Sequence, residues 1–348
     1  MGVIFQTSFD HYTLFTDRFN SAENFNSGTT SVTAGSGRNG TAGGRITDSQ
    51  ASILRKTLPA TYTDVYMAFA FRTSRLPAAS GSRTIAIMSD AGTTHMMMIM
   101  RSDGTIQVGR GTGASILPSN CVVLGTLTGF AMLANTYYHF EWYVRLSDTV
   151  GLVQMRVNEI EKLNLTGQDT RNGASAIIDE IGIGAAGEVT NTANNDFDDV
   201  VVRDDAFSGD VEIAAIFATG AGTTTQWTPS AGSNYQNIDE TAPNSDTDYN
   251  SNTVVNDLDT FPFQDISTTA TVHAVVSLIY AKKTDAGTSK IVSMVRSGGV
   301  NYASATEHAP SLDAYEYAPT VYMTNPDTGV AWTAAGVNAA EFGYKRTA

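Results

Sequence analysis

Asp246, Asp248, Asn250 and Asn252 alternate along Asp246-Thr247-Asp248-Tyr249-Asn250-Ser251-Asn252, and Asp257 follows. Alternating carboxylates and amides are what a calcium loop offers, because this hard cation takes about six to eight oxygen ligands. The helix-flanked form of such a loop also needs a glycine at its middle turn and a bidentate glutamate at its end. Ser251 and Asp257 stand at those places here. The segment therefore reads first as a polar surface loop and second as a calcium site, and no cofactor other than calcium is expected. Asn195, Asp196, Asp198 and Asp199 form a second oxygen cluster of the same kind.

Three aromatic residues, Trp227, Tyr235 and Tyr249, lie in a turn-rich polar stretch, where an exposed ring could stack on a sugar. Trp227 stands next but one to Pro229, and a core plug is the stronger reading for it. Nucleophilic and metal chemistry find little support. None of His11, His95, His139, His273 and His308 has a partner histidine at metal-ligand spacing. No G-x-S-x-G elbow occurs, and Gly109-Arg110-Gly111-Thr112-Gly113 lacks the Lys-Ser/Thr and the helix of a phosphate loop. Cys121 is the single cysteine, in the apolar run Cys121-Val122-Val123-Leu124, and reads as a packing residue. Met96-Met97-Met98-Ile99-Met100 reads as a buried strand rather than a thioether metal site. No catalytic residue is expected, and the chain is read as no enzyme.

These side chains need strands to hold them. Charged residues make up only 16% of the 348 residues, and no stretch concentrates good helix formers. Tyr138, Phe140, Trp142 and Val144 fall on one face of a strand, and His139, Glu141, Tyr143 and Arg145 on the other. A turn through Gly151 follows, and then Val153, Met155 and Val157 alternate with Gln154, Arg156 and Asn158. Further strands are expected at 3–9, 53–58, 64–73, 83–88, 95–101, 105–109 and 121–127, with Asp103-Gly104 as a hairpin turn. Residues 21–44 are expected to be loop with at most a short strand inside. The pattern resets at 207–209, and strands recur at 271–281, 290–296, 315–324 and 341–345. The fold class is all-β: two consecutive antiparallel β-sandwiches of jelly-roll type, residues 1–207 and 208–348. Phe69, Phe140 and Trp142 should fill the first core, and Phe217, Val275, Leu278 and Phe342 the second.

The formal net charge of −14 excludes a phosphate-binding surface, so no nucleic-acid partner is expected. No apolar run approaches membrane-spanning length, so no membrane insertion is expected. The first residues, Met1-Gly2-Val3-Ile4-Phe5-Gln6, do not form a signal peptide. The glycosylation sequons at Asn39 and Asn164 are then idle.

Residues 1–205 resemble a laminin-G-like or concanavalin-like jelly roll. The matching features are Trp142 in its aromatic strand, the Gly151 hairpin, Ile181-Gly182-Ile183-Gly184, and Phe197-Asp198-Asp199-Val200. Glu159 stands where the family often turns on Asn-Gly. Concanavalin-like glucanases pair two carboxylates on one strand, about 5–5.5 Å apart when retaining. No strand here carries that pattern. Asp179 and Glu180 are adjacent and point to opposite faces, while Glu159 and Glu161 sit in a hairpin turn.

The whole chain also resembles a group of tailed-bacteriophage virion proteins. The shared blocks include Ser8-Phe9-Asp10-His11-Tyr12, Gly35-Ser36-Gly37-Arg38-Asn39-Gly40, Gln226-Trp227-Thr228-Pro229, Arg296-Ser297-Gly298-Gly299 and Ala331-Trp332-Thr333-Ala334. The resemblance implies a non-enzymatic structural virion component, associated with tail or fibre or decorating the capsid. It would be made in the host cytoplasm, assembled as symmetric homo-oligomers, and would contact other virion proteins. The alternative is a carbohydrate- or receptor-binding module on the particle, with a host surface glycan as partner. A polysaccharide-degrading enzyme ranks last.

Overall fold

Period-two alternation becomes two stacked antiparallel sheets in the first part of the chain. The computed structural model describes residues 2–12, 18, 19, 21–25, 29–48, 51–187 and 192–348, which divide into unit 1, Met1–Ile213, and unit 2, Ala214–Ala348. Unit 1 contains β1 (Val3–Thr7), β2 (Ser21–Phe25), β3 (Thr29–Thr33), β4 (Gly43–Asp48), β5 (Ala51–Tyr62), β6 (Asp64–Thr73), β7 (Ser82–Asp90) and β8 (Thr93–Arg101). It continues with β9 (Ile106–Gly111), β10 (Cys121–Thr126), β11 (Tyr138–Arg145), β12 (Gly151–Val157), β13 (Ile160–Gln168), β14 (Ile178–Gly187) and β15 (Ala193–Arg203). One sheet has the order β13-β12-β11-β6-β15-β4-β3, with β1 also pairing β15. The other has the order β10-β9-β8-β7-β14-β5-β2. Residues 21–44, expected as loop, supply two edge strands, β2 and β3; residues 26–28 of that stretch lie outside the described residues. Their backbone is recruited by β5 and β4 through ladder bonds that the polar composition conceals.

The core follows from the alternation. Phe140, Trp142 and Val144 stand opposite Phe69, Met67 and Val65 on β6, and opposite Val157, Met155 and Val153 on β12. All nine are buried, and each large apolar side chain contributes roughly 1.5–3 kcal/mol. The methionine run is a buried strand: Met97 and Ile99 pack with Ile53, Ile87, Ile116 and Ala186, and half-buried Cys121 rests against that cluster. Burial pushes the Cys121 thiol up to about 11, away from nucleophilic character. At the β12–β13 hairpin Asn158 and Glu159 adopt φ of 48° and 65°. This is the left-handed turn that Asn-Gly ordinarily serves, so Glu159 keeps the turn at a cost in strain.

Unit 1 runs past the expected boundary at 207–209. Residues 204–213 form no ladder, but they lie across the sheet face that carries His139, Glu141 and Tyr143. Gly209 N–H donates to Glu141 Oε1 at 2.8 Å and Ile213 N–H to Asp199 Oδ1 at 2.8 Å.

Unit 2 contains β16 (Thr228–Pro229), β17 (Asn250–Ser251), β18 (Leu258–Pro262), β19 (Val275–Ala281), β20 (Ile291–Ser297), β21 (Val300–Ala303), β22 (Glu316–Tyr322), a short helix α1 (Ala334–Asn338) and β23 (Glu341–Arg346). A four-stranded sheet, β18-β23-β20-β21, is accompanied by the ribbons β19-β22 and β16-β17. Val295, Trp332, Val337, Ala340 and Phe342 form the core, and Val275 and Tyr322 of the β19–β22 ribbon pack against it. Phe342 and Val275 thus take their expected places. Phe217 is only half-buried, and Leu278 lies on the other face of the ribbon from Val275, because alternate residues of a strand point opposite ways.

Candidate functional site

The β19–β22 ribbon pairs Val275 with Tyr322, Val276 with Val321, Ser277 with Thr320, Leu278 with Pro319, Ile279 with Ala318 and Tyr280 with Tyr317. Val275 and Tyr322 face the core, and Ala318 and Thr320 are buried with them. The opposite face therefore carries Val276, Leu278, Tyr280, Tyr317, Pro319 and Val321; Pro319 and Val321 are exposed.

Aromatic rings gather at the Tyr280 end of this face. The Tyr280 ring stacks on Tyr315, with centroids 5.0 Å apart and planes 14° apart. Tyr317 lies 4.6 Å from Tyr280, tilted by 44°. Lys282 Nζ stands 4.7 Å from the Tyr315 centroid and 2.8 Å from Asp246. Tyr315 Oη donates to Asp246 Oδ1 at 3.1 Å. Burial, then the bond to Asp246, pushes the Tyr315 hydroxyl up to about 12, so it remains a donor at neutral pH. Hydrogen bonds from Lys282 and Tyr315 hold Asp246 below the usual carboxylate range, so it remains an acceptor. Tyr249, 42% exposed, is a further neighbour of Tyr315. The arrangement sets a largely covered ammonium over one ring of a half-buried tyrosine cluster, beside a carboxylate that is 67% exposed.

Of the three aromatic residues singled out in the sequence, only Tyr249 belongs to this group. Trp227 is half-buried; its ring meets Tyr344 edge-on at 4.7 Å and its Nε1–H donates to Asp257 O at 3.2 Å, so it is a packing residue. Tyr235 sits half-buried in the tight turn Asn234–Asn237 and makes none of the ribbon's ring contacts. Sequence reasoning missed Tyr280, Tyr315, Tyr317 and Lys282. The signal that could have found them is Tyr315-Glu316-Tyr317, whose alternation puts two rings on one side of a strand.

The proposed calcium ligands do not converge. Asp246 is held by Lys282 and Tyr315. Asp248 shares a hydrogen bond with Glu240 instead, whose carboxyl burial pushes up to about 6. Asn250 donates through Nδ2 to Asn234 O and Tyr344 Oη, and Asn252 donates through Nδ2 to Asp257 Oδ2. The amide oxygens are taken as well, Asn250 Oδ1 by Asn237 Nδ2 and Asn252 Oδ1 by Val254 N–H, and β17 is extended and paired with β16 rather than wrapped into a loop. No group of three His, Cys, Asp or Glu side chains placed to hold a metal ion occurs among the described residues.

The second oxygen cluster is occupied by the protein's own donors. Arg45 and Arg72 grip Asp196, at 2.7 Å and 2.6 Å, and Asn195 Oδ1 accepts from Arg83 at 3.1 Å. Asp198 and Asp199 project together from a bulge in β15, where Asp199 adopts φ 50°. Asp198 Oδ2 accepts from Arg38 N–H at 2.8 Å and from Thr41 Oγ1 at 3.1 Å; Asp199 Oδ2 lies 3.0 Å from Arg38 Nε. Arg38 also pairs with Asp210 and donates to Val211 O at 2.6 Å. Burial raises Asp198 to about 8, with repulsion from Asp199 adding to it, and burial raises Asp199 to about 6. Asp10 accepts from Ala42 N–H at 2.8 Å in the same junction. A Cβ on Gly37 would lie 2.3 Å from Ala42 O and 2.7 Å from Asp198 Oδ2, which is why glycine stands there. The blocks around Asp10 and Arg38, far apart in the chain from Asp198, are thus parts of one buried ionic junction.

No protein-family model matches the chain, and no curated protein does. Among solved structures, an endo-β-1,4-glucuronan lyase from the fungus Trichoderma reesei is similar over 58% of this chain and 95% of its own, at 12% identity and a TM-score of 0.43. The alginate lyase Aly36B is similar over 58% and 97%, at 15% identity and a TM-score of 0.41. A carbohydrate-binding module from Bacillus subtilis is similar over 51% and 92%, at 10% identity and a TM-score of 0.33. These findings correct two expectations. The non-enzymatic structural virion component and the reading as no enzyme are both set aside, since the similar structures are polysaccharide lyases and a carbohydrate-binding module. At these TM-scores the likeness assigns no activity to this chain, and the function has to be argued from its own residues.

Proposed function

We propose that the protein binds carbohydrate through the tyrosine face of the β19–β22 ribbon. The carrying observation is the grouping of the Tyr280, Tyr315 and Tyr317 rings beside the Asp246–Lys282 pair. A pyranose has an apolar C–H face and a rim of hydroxyls. The rings supply an apolar surface, Asp246 accepts from hydroxyls, and Lys282 and Tyr315 donate to them. Rigid aromatic side chains order at low entropic cost, which suits them to carry binding energy.

Isothermal titration of the full chain against a panel of bacterial capsular and neutral oligosaccharides tests this reading. Tyr280→Ala should weaken binding by tenfold or more, about 1.4 kcal/mol, without lowering the melting temperature of unit 1. A panel with no ligand, or a ligand whose affinity Tyr280→Ala leaves unchanged, would refute it. Ultraviolet absorbance of the unsaturated product, followed in the same mixtures, reports any lyase cleavage of the bound chain.

A further inference from the structure

We infer that unit 1 carries a second carbohydrate site on the outer face of its eight-stranded sheet, and that residues 204–213 occupy it as a built-in substitute for the ligand. On this face Glu141 stands opposite Ala68, and Ala68 opposite Val201; one row further on, Tyr143 stands opposite Tyr66, and Tyr66 opposite Arg203. Ala68 makes a low floor between taller side chains. Tyr66 and Tyr143 form a stacked wall, with centroids 4.3 Å apart and planes 12° apart. Phe207 meets both rings edge-on, at 5.1 Å and 6.4 Å, and the Arg156 guanidinium lies 4.2 Å over its ring. Phe207 and Ser208 leave only a tight crevice against Tyr66, Ala68, Glu141 and Val201.

The segment satisfies the face incompletely. Gly209 N–H takes Glu141 Oε1, yet Glu141 Oε2 has no hydrogen-bond partner although the residue is fully buried. His139, two residues away on the same face and 2% exposed, makes no hydrogen bond through either ring nitrogen; its Nδ1 stands 3.9 Å from Asp210. Buried polar atoms without partners are costly, and here they lie on one face of β11 with aromatic rings alongside. The segment has no ladder bonds to the sheet and is held at its far end by Arg38, through Asp210 and Val211 O, and by the Ile213 N–H bond to Asp199; Asp205, Ala206, Asp210 and Glu212 along it are exposed. A polyhydroxylated ring would place its apolar face against Tyr66 and Tyr143, where Phe207 now sits. Its hydroxyls would donate to Glu141 and exchange hydrogen bonds with His139. The carboxylate of Glu141 favours a neutral sugar over a uronate.

This site is independent of the tyrosine ribbon, and the test keeps the two apart by using the full chain carrying Tyr280→Ala. Cellohexaose is the neutral probe and a glucuronate oligomer the acidic one. Phe207→Ala should raise affinity for cellohexaose at least tenfold, and adding Glu141→Gln should remove the gain. No gain in a Phe207→Ala protein with intact near-ultraviolet circular dichroism, a gain that survives Glu141→Gln, or equal binding of the acidic probe would each overturn the inference. Should Phe207→Ala fail to fold, hydrogen exchange on the Tyr280→Ala chain decides instead. Cellohexaose should accelerate exchange at the Gly209 and Ile213 amides as the segment is displaced, and unchanged or slowed exchange there would overturn it.

Discussion

Replacing Arg38 by Met removes a cation from the buried junction while keeping most of the side-chain volume. Its Nε lies 3.0 Å from Asp199, with side-chain exposures of 17% and 3%. At an effective dielectric of about 20, that separation corresponds to roughly 5 kcal/mol of attraction. Asp210, 38% exposed, adds less because water screens it. Loss of one partner from a buried pair costs about 3–5 kcal/mol, since the remaining charge is stranded. For a unit of this length each kcal/mol moves the melting temperature by about 2–4 °C, so a fall of roughly 6–20 °C is expected at pH 7.5. The pH dependence identifies the mechanism. Asp199 in the folded chain titrates at about 6, above its ordinary 3.8, so the native state holds that proton more tightly than the unfolded state. Asp199 therefore costs unit 1 stability as pH rises from about 4 to about 6, and Asp198, raised to about 8, extends the loss to about pH 8. Without Arg38 the Asp199 value rises further and the loss continues to higher pH. The gap between wild type and variant should be smallest at pH 4 and widen as pH rises above about 6. Thermal melts of both proteins across that range check this, and an equal gap at pH 4 and pH 7.5, or one below about 1 kcal/mol at pH 7.5, would refute the reasoning.

Glu159→Gly should stabilise unit 1 by roughly 0.5–1 kcal/mol, read by urea denaturation, because Glu159 sits at φ 65°; it gives up a 3.4 Å bond from Asp210 N–H. Phe140→Ala should cost about 3–5 kcal/mol through the cavity left between Phe69 and Phe130, with loss of the cooperative melt as the readout. Calorimetric titration of chelator-treated protein with calcium should give no heat and no rise in melting temperature, since arginines, amides and a lysine already occupy the candidate oxygens.

Local pattern and long-range pairing divide the rest. The alternation of Tyr138 to Arg145, the buried methionine run and the Asp103-Gly104 turn were legible in the chain, because the strand period of two depends only on neighbouring residues and their need to bury one face. The all-β class and the cores around Trp142 and Phe342 follow from the same signal. The polar strands β2 and β3 were not legible, since their stability comes from ladder bonds to partners rather than from their own side chains. Nor were the sites. Tyr280 meets Tyr317 only through the pairing of β19 with β22, and Lys282 meets Asp246 only through a loop that returns from a distant part of unit 2. Alternating oxygens in 246–252 and 195–199 looked like cation ligands one residue at a time. Whether each carboxylate faces an ion, an arginine or a backbone amide depends on which loops fold onto it. In this protein Arg38, brought from far upstream against the β15 bulge, made that choice at Asp199.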